Sequence, residues 1–162
     1  VEGDHLLDTQ ELEGLYPKAA FLDSREVVLF GEKGFVLYQA DSKKIETQEN
    51  FESEINSVFC TNQKLGFIFK NEDDNGKYRM EIYNKAGKKS STYYFDLDYS
   101  GMMADDDEVI LYNDEEMLIY QMGGRVRFRG TFNTAVTSVM PSWEDGLYWL
   151  IDDQSLREIR IR

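Results

Sequence analysis

The residue types that carry most nucleophilic and acid–base chemistry are scarce in this sequence. Its 162 residues include one histidine, His5, and one cysteine, Cys60. A single histidine excludes a multi-histidine metal site and argues against a histidine-based catalytic triad within one chain. A Cys–His nucleophilic pair would require the fold to join two residues that are far apart in sequence. Cys60 follows the apolar Val58-Phe59, which is typical of a small buried side chain. We therefore predict no catalytic residue.

Acidic clusters are the candidate cation sites. Asp105, Asp106 and Asp107 belong to the densest charge run, and carboxylate oxygens are the ligands that calcium prefers. Hydrated like charges near a strand end explain the same run without a ligand. The segment Asn71–Gly76 begins like an EF-hand loop, but Ile82 stands where the closing glutamate should be. We keep the three aspartates as candidate binding residues and predict no metal and no cofactor.

Two aromatic residues are candidates for contacting a ligand. Trp143 follows Pro141 and Ser142 in a predicted loop, and Tyr99 follows a predicted strand that ends at Phe95. Aromatic rings stack on sugars and anchor protein interfaces, whereas core packing explains most of the other aromatic residues. The sequence therefore favours Trp143 as an exposed anchor.

The composition indicates one folded domain and excludes two classes of partner. Hydrophobic residues make up 41% of the chain, which is too many for a disordered segment. With a formal charge of −13, the chain is repelled by phosphate backbones and by anionic lipids. We expect neither nucleic acid nor an anionic membrane as a direct partner. No apolar run reaches the length of about 20 residues that a transmembrane helix needs.

The elements that must position these side chains are strands in an internal repeat. Four apolar runs recur about every 40 residues. They are Val27–Phe30, Gly66–Phe69, Val109–Tyr112 and Leu147–Leu150. A loop rich in Gly, Asn and Asp separates each run from a second strand-like segment, as in a β-hairpin. A small-residue strand precedes each run and a further strand follows the first three hairpins. The sequence predicts an all-β, β-propeller-like fold of about four tandem four-stranded antiparallel blades.

The fourth copy ends after its third strand. We divide the chain into an N-terminal segment, residues 1–17, and a single propeller-like repeat domain, residues 18–162. The N-terminal segment is a candidate for the strand that closes the ring, with one helical turn expected near Asp8 to Leu15. Two alternatives stay open: the chain is part of a larger propeller, or two copies complete a ring as a homodimer.

The repeat resembles an uncharacterised Gram-positive bacterial family of membrane-anchored proteins with an extracellular propeller-like domain. The residues that carry the resemblance are a phenylalanine before each small strand, the basic turns and the closing strand. They are Phe51, Phe95, Phe132, Gly87-Lys88-Lys89, Gly124-Arg125 and Leu156–Ile161. The resemblance implies an N-terminal anchor that this chain does not contain, a location outside the cytoplasm, and no catalytic residues. The single cysteine does not fix the compartment, so a cytoplasmic location stays open as the alternative.

These observations lead to one functional hypothesis and two alternatives. We expect a non-enzymatic binding or scaffold domain whose loops on one face of the ring contact a protein or glycan partner. Propellers often do such work, which is an argument by analogy. The alternatives are a polysaccharide-acting propeller enzyme, either a glycoside hydrolase or a lyase, and a subunit whose main role is assembly.

Overall fold

The computed structural model describes His5 and residues 7–161. The described residues form fifteen strands in four antiparallel sheets that follow one another along the chain and that we call blades 1 to 4. Blade 1 comprises β1 (Lys18–Phe21), β2 (Glu26–Phe30), β3 (Gly34–Gln39) and β4 (Lys44–Asn50). Blade 2 comprises β5 (Ile55–Cys60), β6 (Lys64–Lys70), β7 (Tyr78–Asn84) and β8 (Lys89–Phe95). Blade 3 comprises β9 (Gly101–Ala104), β10 (Glu108–Tyr112), β11 (Glu116–Gln121) and β12 (Arg125–Thr131). Blade 4 comprises β13 (Ser138–Pro141), β14 (Leu147–Ile151) and β15 (Leu156–Arg160).

Each of the two inner blades, 2 and 3, presents one face to the preceding blade and the other face to the following blade. Side chains of the second strand alternate between the two faces because successive residues of a strand point to opposite sides. In β2, Val28 and Phe30 pack on blade 2, and in β10, Val109 and Leu111 pack back on blade 2. We call the side towards the following blade the forward face and the other side the backward face.

Three apolar cores join neighbouring blades within the described residues. The core between blades 1 and 2 includes Phe35 and Phe67, whose ring centroids lie 5.0 Å apart. The core between blades 2 and 3 includes Tyr93 and Tyr120, with centroids 4.7 Å apart. The core between blades 3 and 4 contains the fully buried Tyr148. Each core consists of a forward face packed on a backward face, and burial of such faces is the main source of stability.

Short polar side chains shape the loops between the first and second strands. Asp23 Oδ1 accepts hydrogen bonds from the backbone N–H groups of Arg25 and Glu26, at 2.8 and 3.1 Å. Thr61 holds the corresponding loop of blade 2 through its hydroxyl oxygen, and Asp105 does the same in blade 3. These side chains replace backbone partners that a tight loop cannot supply.

The structure confirms the all-β fold with four tandem antiparallel blades, and it corrects one detail. The helical turn expected near Asp8 to Leu15 is absent from the described residues of that segment. The segment lies against blade 1, where Tyr38 donates a 2.7 Å hydrogen bond to Asp8 and Lys43 Nζ donates to the Leu7 carbonyl. Part of the N-terminal segment, Val1 to Asp4 and Leu6, lies outside the described residues. Ring closure by this segment stays a prediction.

Candidate binding groove between blades 3 and 4

Three loops at one end of blades 3 and 4 surround a groove of about 680 Å³. They are the β9–β10 loop (105–107), the β11–β12 turn (122–124) and the β13–β14 loop (142–146). Antiparallel strand order brings these loops to the same end, because the first and third strands of a blade run in the same direction. The groove therefore lies on the surface that the loops at this end of blades 3 and 4 form.

A buried carboxylate lies at the base of the groove. Glu108 is the first residue of β10 and is only 6% exposed. Its Oε2 accepts a 2.8 Å hydrogen bond from the Tyr148 hydroxyl and a 3.1 Å hydrogen bond from Arg127 Nη1. Burial raises the pKa of Glu108, and these two partners oppose that rise because both favour the charged carboxylate.

Arg127 links the base of the groove to its rim. The same Nη1 that contacts Glu108 also donates to Asp145 Oδ1 at 2.6 Å, and this contact lowers the pKa of Asp145. Gly146 follows with a left-handed φ of 76°, and a Cβ there would lie 3.0 Å from Arg127 Nη2. The position therefore favours glycine, which lets the loop lie close to the guanidinium.

Trp143 forms the exposed part of the rim and is 87% exposed. Its ring centroid lies 6.4 Å from that of Trp149 on the neighbouring strand β14. A large aromatic ring in this position has most of its apolar surface in water, which is typical of an interaction anchor. These two residues are the only tryptophans of the chain, so tryptophan fluorescence reports on this region alone.

The groove carries a net negative charge. Five carboxylate residues line it, whereas Arg127 is its one basic lining residue among those the structure describes. The acidic lining residues are Asp105, Asp107, Glu108, Glu144 and Asp145. A negatively charged cleft concentrates cations and basic ligands, in the same direction as the charge of −13 of the whole chain.

Three of the five binding residues predicted from the sequence line the groove, and the other two lie elsewhere. Trp143, Asp105 and Asp107 line the groove. Asp106 instead accepts a 3.1 Å hydrogen bond from the backbone N–H of residue 63, which connects the loops of blades 2 and 3. Tyr99 is half-buried between blades 2 and 3, where its hydroxyl lies 2.6 Å from that of Ser57.

Sequence reasoning missed the residues at the base of the groove. Glu108 was visible only as the end of a charge run, and Arg127 only as a basic residue of an outer strand. The one available signal was Tyr148, because the equivalent positions of the other blades hold the aliphatic residues Val27, Leu65 and Val109. A tyrosine in an aliphatic position needs a partner for its hydroxyl.

The remaining acidic motif is a structured hairpin loop. Asp73 Oδ1 accepts hydrogen bonds from the Asn71 side chain at 2.6 Å and from the Asn75 backbone N–H at 2.9 Å. The carboxylate thus satisfies donors of its own loop. Among the described residues, no group of three or more His, Cys, Asp or Glu side chains is arranged to hold a metal ion.

The sequence matches a known protein family over nearly its whole length. A family of unknown function, DUF5711, matches residues 2–161. The chain belongs to this family. No curated protein matches the sequence. Within the described part of this DUF5711 chain, no helix has the length and apolar character to cross a membrane.

Solved structures similar to this DUF5711 chain support the β-propeller-like fold. BBS1N, crystallised in complex with ARL6DN, has a TM-score of 0.61 at 13% identity, over 99% of this chain and 56% of BBS1N. A eukaryotic initiation factor has a TM-score of 0.64 at 10% identity, over 94% of this chain and 42% of the factor. Hsv2 of Kluyvelomyces marxianus has a TM-score of 0.55 at 10% identity, over 91% of this chain and 49% of Hsv2. The DUF5711 chain spans about half the length of these structures.

Proposed function

We propose that this DUF5711 chain is a non-enzymatic binding domain that contacts a protein partner through the groove between blades 3 and 4. The observation that carries the proposal is the exposed Trp143 at the rim of an acidic groove. The base of the groove is fixed by the Glu108–Arg127–Tyr148 contacts, so the loops are preorganised for a ligand.

The chemistry of the groove favours a partner segment that carries lysine or arginine. Its carboxylates attract a cation, and the face of Trp143 can accept a cation–π contact from a guanidinium. A neutral glycan could also stack on Trp143 but would gain nothing from the surplus of carboxylates. BBS1N, a structure with a similar fold, was crystallised with a protein partner, which supports a protein ligand by analogy only.

We further propose that the domain is displayed outside a Gram-positive cell through an anchor beyond this chain. The support is the resemblance of the closing strand, the basic turns and the phenylalanine pattern to membrane-anchored proteins. Protease treatment of intact cells that express the full-length protein tests this location. Cleavage without lysis is expected, and protection until lysis contradicts it.

Binding is tested by titrating the chain with an arginine-containing pentapeptide while tryptophan emission is recorded, with the glutamate-containing peptide of the same length as a control. We expect saturable quenching by the basic peptide alone. In calorimetry, Trp143→Ser should weaken binding at least about tenfold, as loss of an aromatic anchor typically does. The matched control is Tyr94→Ser, which removes a partly exposed aromatic ring from blade 2.

Two outcomes contradict the proposal. Equal binding of both peptides would show that charge does not select the ligand. Saturable binding of a chito-oligosaccharide with no response to either peptide would replace the protein partner with a glycan.

A further inference from the structure

The five carboxylates that line the groove differ in whether the chain's own donors already use them. Four of them accept hydrogen bonds from described residues. These are Glu108, from Arg127 and Tyr148; Asp145, from Arg127; Glu144, from Arg160 at 2.7 Å; and Asp105, from the backbone N–H groups of residues 107 and 108, both at 2.8 Å. The fifth is Asp107, an exposed residue. Its carboxylate forms no hydrogen bond or ion pair with any residue that the structure describes.

The local structure at the start of β10 explains why Asp107 is left without a partner. Asp105 Oδ1 holds the loop by accepting the two backbone N–H groups. The Asp106 carboxylate accepts a 3.1 Å hydrogen bond from the N–H of residue 63 in blade 2, and Glu108 is buried beneath the groove. Of these four consecutive acidic residues, Asp107 alone keeps both carboxylate oxygens available to a ligand within the described contacts.

A carboxylate with two available oxygens distinguishes between the two basic side chains by geometry. A guanidinium is planar and can donate two parallel N–H groups to both oxygens of one carboxylate. An ammonium acts as a point charge and lacks this matching geometry. Each of the other four lining carboxylates already has one oxygen engaged by the chain. A bidentate contact in the groove is therefore most accessible at Asp107.

The rim offers a second contact that an arginine can make at the same time. Asp107 belongs to the blade 3 loop of the groove, whereas Trp143 belongs to the blade 4 loop. The edge of a guanidinium carries its N–H donors, and its face stacks on aromatic rings. One arginine side chain can therefore use its edge for a carboxylate and its face for an indole. An ammonium has no separate edge and face.

We propose, on the basis of the binding function proposed above, that the groove recognises arginine in preference to lysine, with Asp107 as the bidentate acceptor of the guanidinium. The deciding contact lies in the β9–β10 loop of blade 3. It does not depend on what contacts the forward face of blade 4.

Two pentapeptides that differ only in a central arginine or lysine test this preference, because the two side chains carry the same charge at neutral pH. The dissociation constant of each peptide with the wild-type chain is measured by calorimetry. We expect the arginine peptide to bind about fivefold more tightly, which is the upper end of what an exposed ion pair contributes.

Replacing Asp107 assigns the preference to one carboxylate. Asp107→Asn should weaken binding of the arginine peptide about fivefold and reduce its advantage over the lysine peptide to less than about twofold. The residue is exposed, so the variant should fold. The matched control is Asp106→Asn, which removes the same charge one residue away, outside the groove, and keeps an oxygen to accept the N–H of residue 63. This control should retain the arginine preference.

The outcomes separate this proposal from the binding function on which it rests. Equal binding of the two peptides by the wild type would overturn the arginine preference and leave a basic partner in place. A preference that persists in Asp107→Asn would overturn the role of Asp107. If neither peptide bound the wild type, the proposed function would fall, and the arginine contact with it.

Discussion

Replacing Arg127 with methionine tests the importance of the buried contacts under the groove. The substitution keeps most of the aliphatic stem and removes the guanidinium that donates to Glu108 and Asp145. Glu108 would then be a buried carboxylate with Tyr148 as its one remaining hydrogen-bond donor among the described residues. The loop that carries Asp145 would also lose its ion pair with blade 3.

The expected cost follows from burial. Removing one partner of a buried ion pair costs about 3–5 kcal/mol. The Arg127 side chain is 20% exposed and Tyr148 still donates to the carboxylate, so we expect the lower end, about 3 kcal/mol. With a urea m-value of about 2 kcal/mol/M for a domain of this size, the midpoint of unfolding should fall by about 1.5 M. The exposed contact between Arg127 and Asp145 contributes little, because solvent screens it.

Equilibrium urea unfolding of three variants measures the effect. Arg125→Met is the matched control, because Arg125 lies on the same strand but is exposed and donates its side-chain hydrogen bond to Gln121. It should change the free energy of unfolding by no more than about 0.5 kcal/mol. The double variant Glu108→Gln/Arg127→Met should be more stable than Arg127→Met alone, because no unpaired charge remains buried.

The pH dependence gives an independent check. Without Arg127, the pKa of Glu108 should rise further, so the stability deficit of Arg127→Met should shrink as pH falls and Glu108 takes up a proton. An unfolding midpoint for Arg127→Met within about 0.25 M of the wild type would contradict the expected loss of stability, because the midpoint is proportional to the free energy of unfolding. A double variant no more stable than Arg127→Met would refute it too.

Two further predictions concern blade packing. Burial is the largest cause that raises the pKa of Glu26, and the charge of Asp23 is the next. Above its folded-state pKa, ionised Glu26 therefore lowers stability. Below its unfolded-state pKa of about 4.3, the residue is protonated in both states and has no such effect. Glu26→Gln should therefore raise the urea midpoint at pH 7 and leave it nearly unchanged near pH 3.5; an equal shift at both pH values would contradict this. A Cβ at Gly66 would lie 1.9 Å from the buried Phe59 ring, so Gly66→Ala should cost about 1–3 kcal/mol in urea unfolding. Gly123→Ala, where nothing lies within 4 Å, should cost less than about 0.5 kcal/mol, and equal costs at the two sites would show that crowding is not the cause.

The fold could be predicted from the sequence because the same pattern of strands and loops recurs four times. The apolar runs beginning at Val27, Val109 and Leu147 each lie within the second strand of a blade. The N-terminal segment could not be placed in the same way, because it has no equivalent elsewhere in the chain. Its contacts, such as the hydrogen bond from Tyr38 to Asp8, join residues that no periodicity relates.

The residues of the groove could also be predicted only in part from the sequence. Trp143 stood out as a large aromatic residue in a loop, and its exposure follows from that location. The contact between Arg127 and Glu108 joins two blade 3 strands that are not neighbours in the sheet, β12 and β10. Such a contact depends on how two long side chains extend beneath a loop, and strand spacing in the sequence does not determine that.

The groove lies where the repeat departs from itself, and this supports a functional origin. The loop between the first and second strands has three or four residues in blades 1 to 3 but spans residues 142–146 in blade 4. The longer loop carries Trp143, and the tyrosine at position 148 replaces an aliphatic residue of the other blades. Packing alone would favour the repeated solution at both places, because the same face geometry recurs at each junction. A tryptophan that stays exposed forgoes the stability that burial of its ring would give. The proposed binding role would account for the exposed tryptophan, whereas the fully buried Tyr148 also contributes to the core between blades 3 and 4.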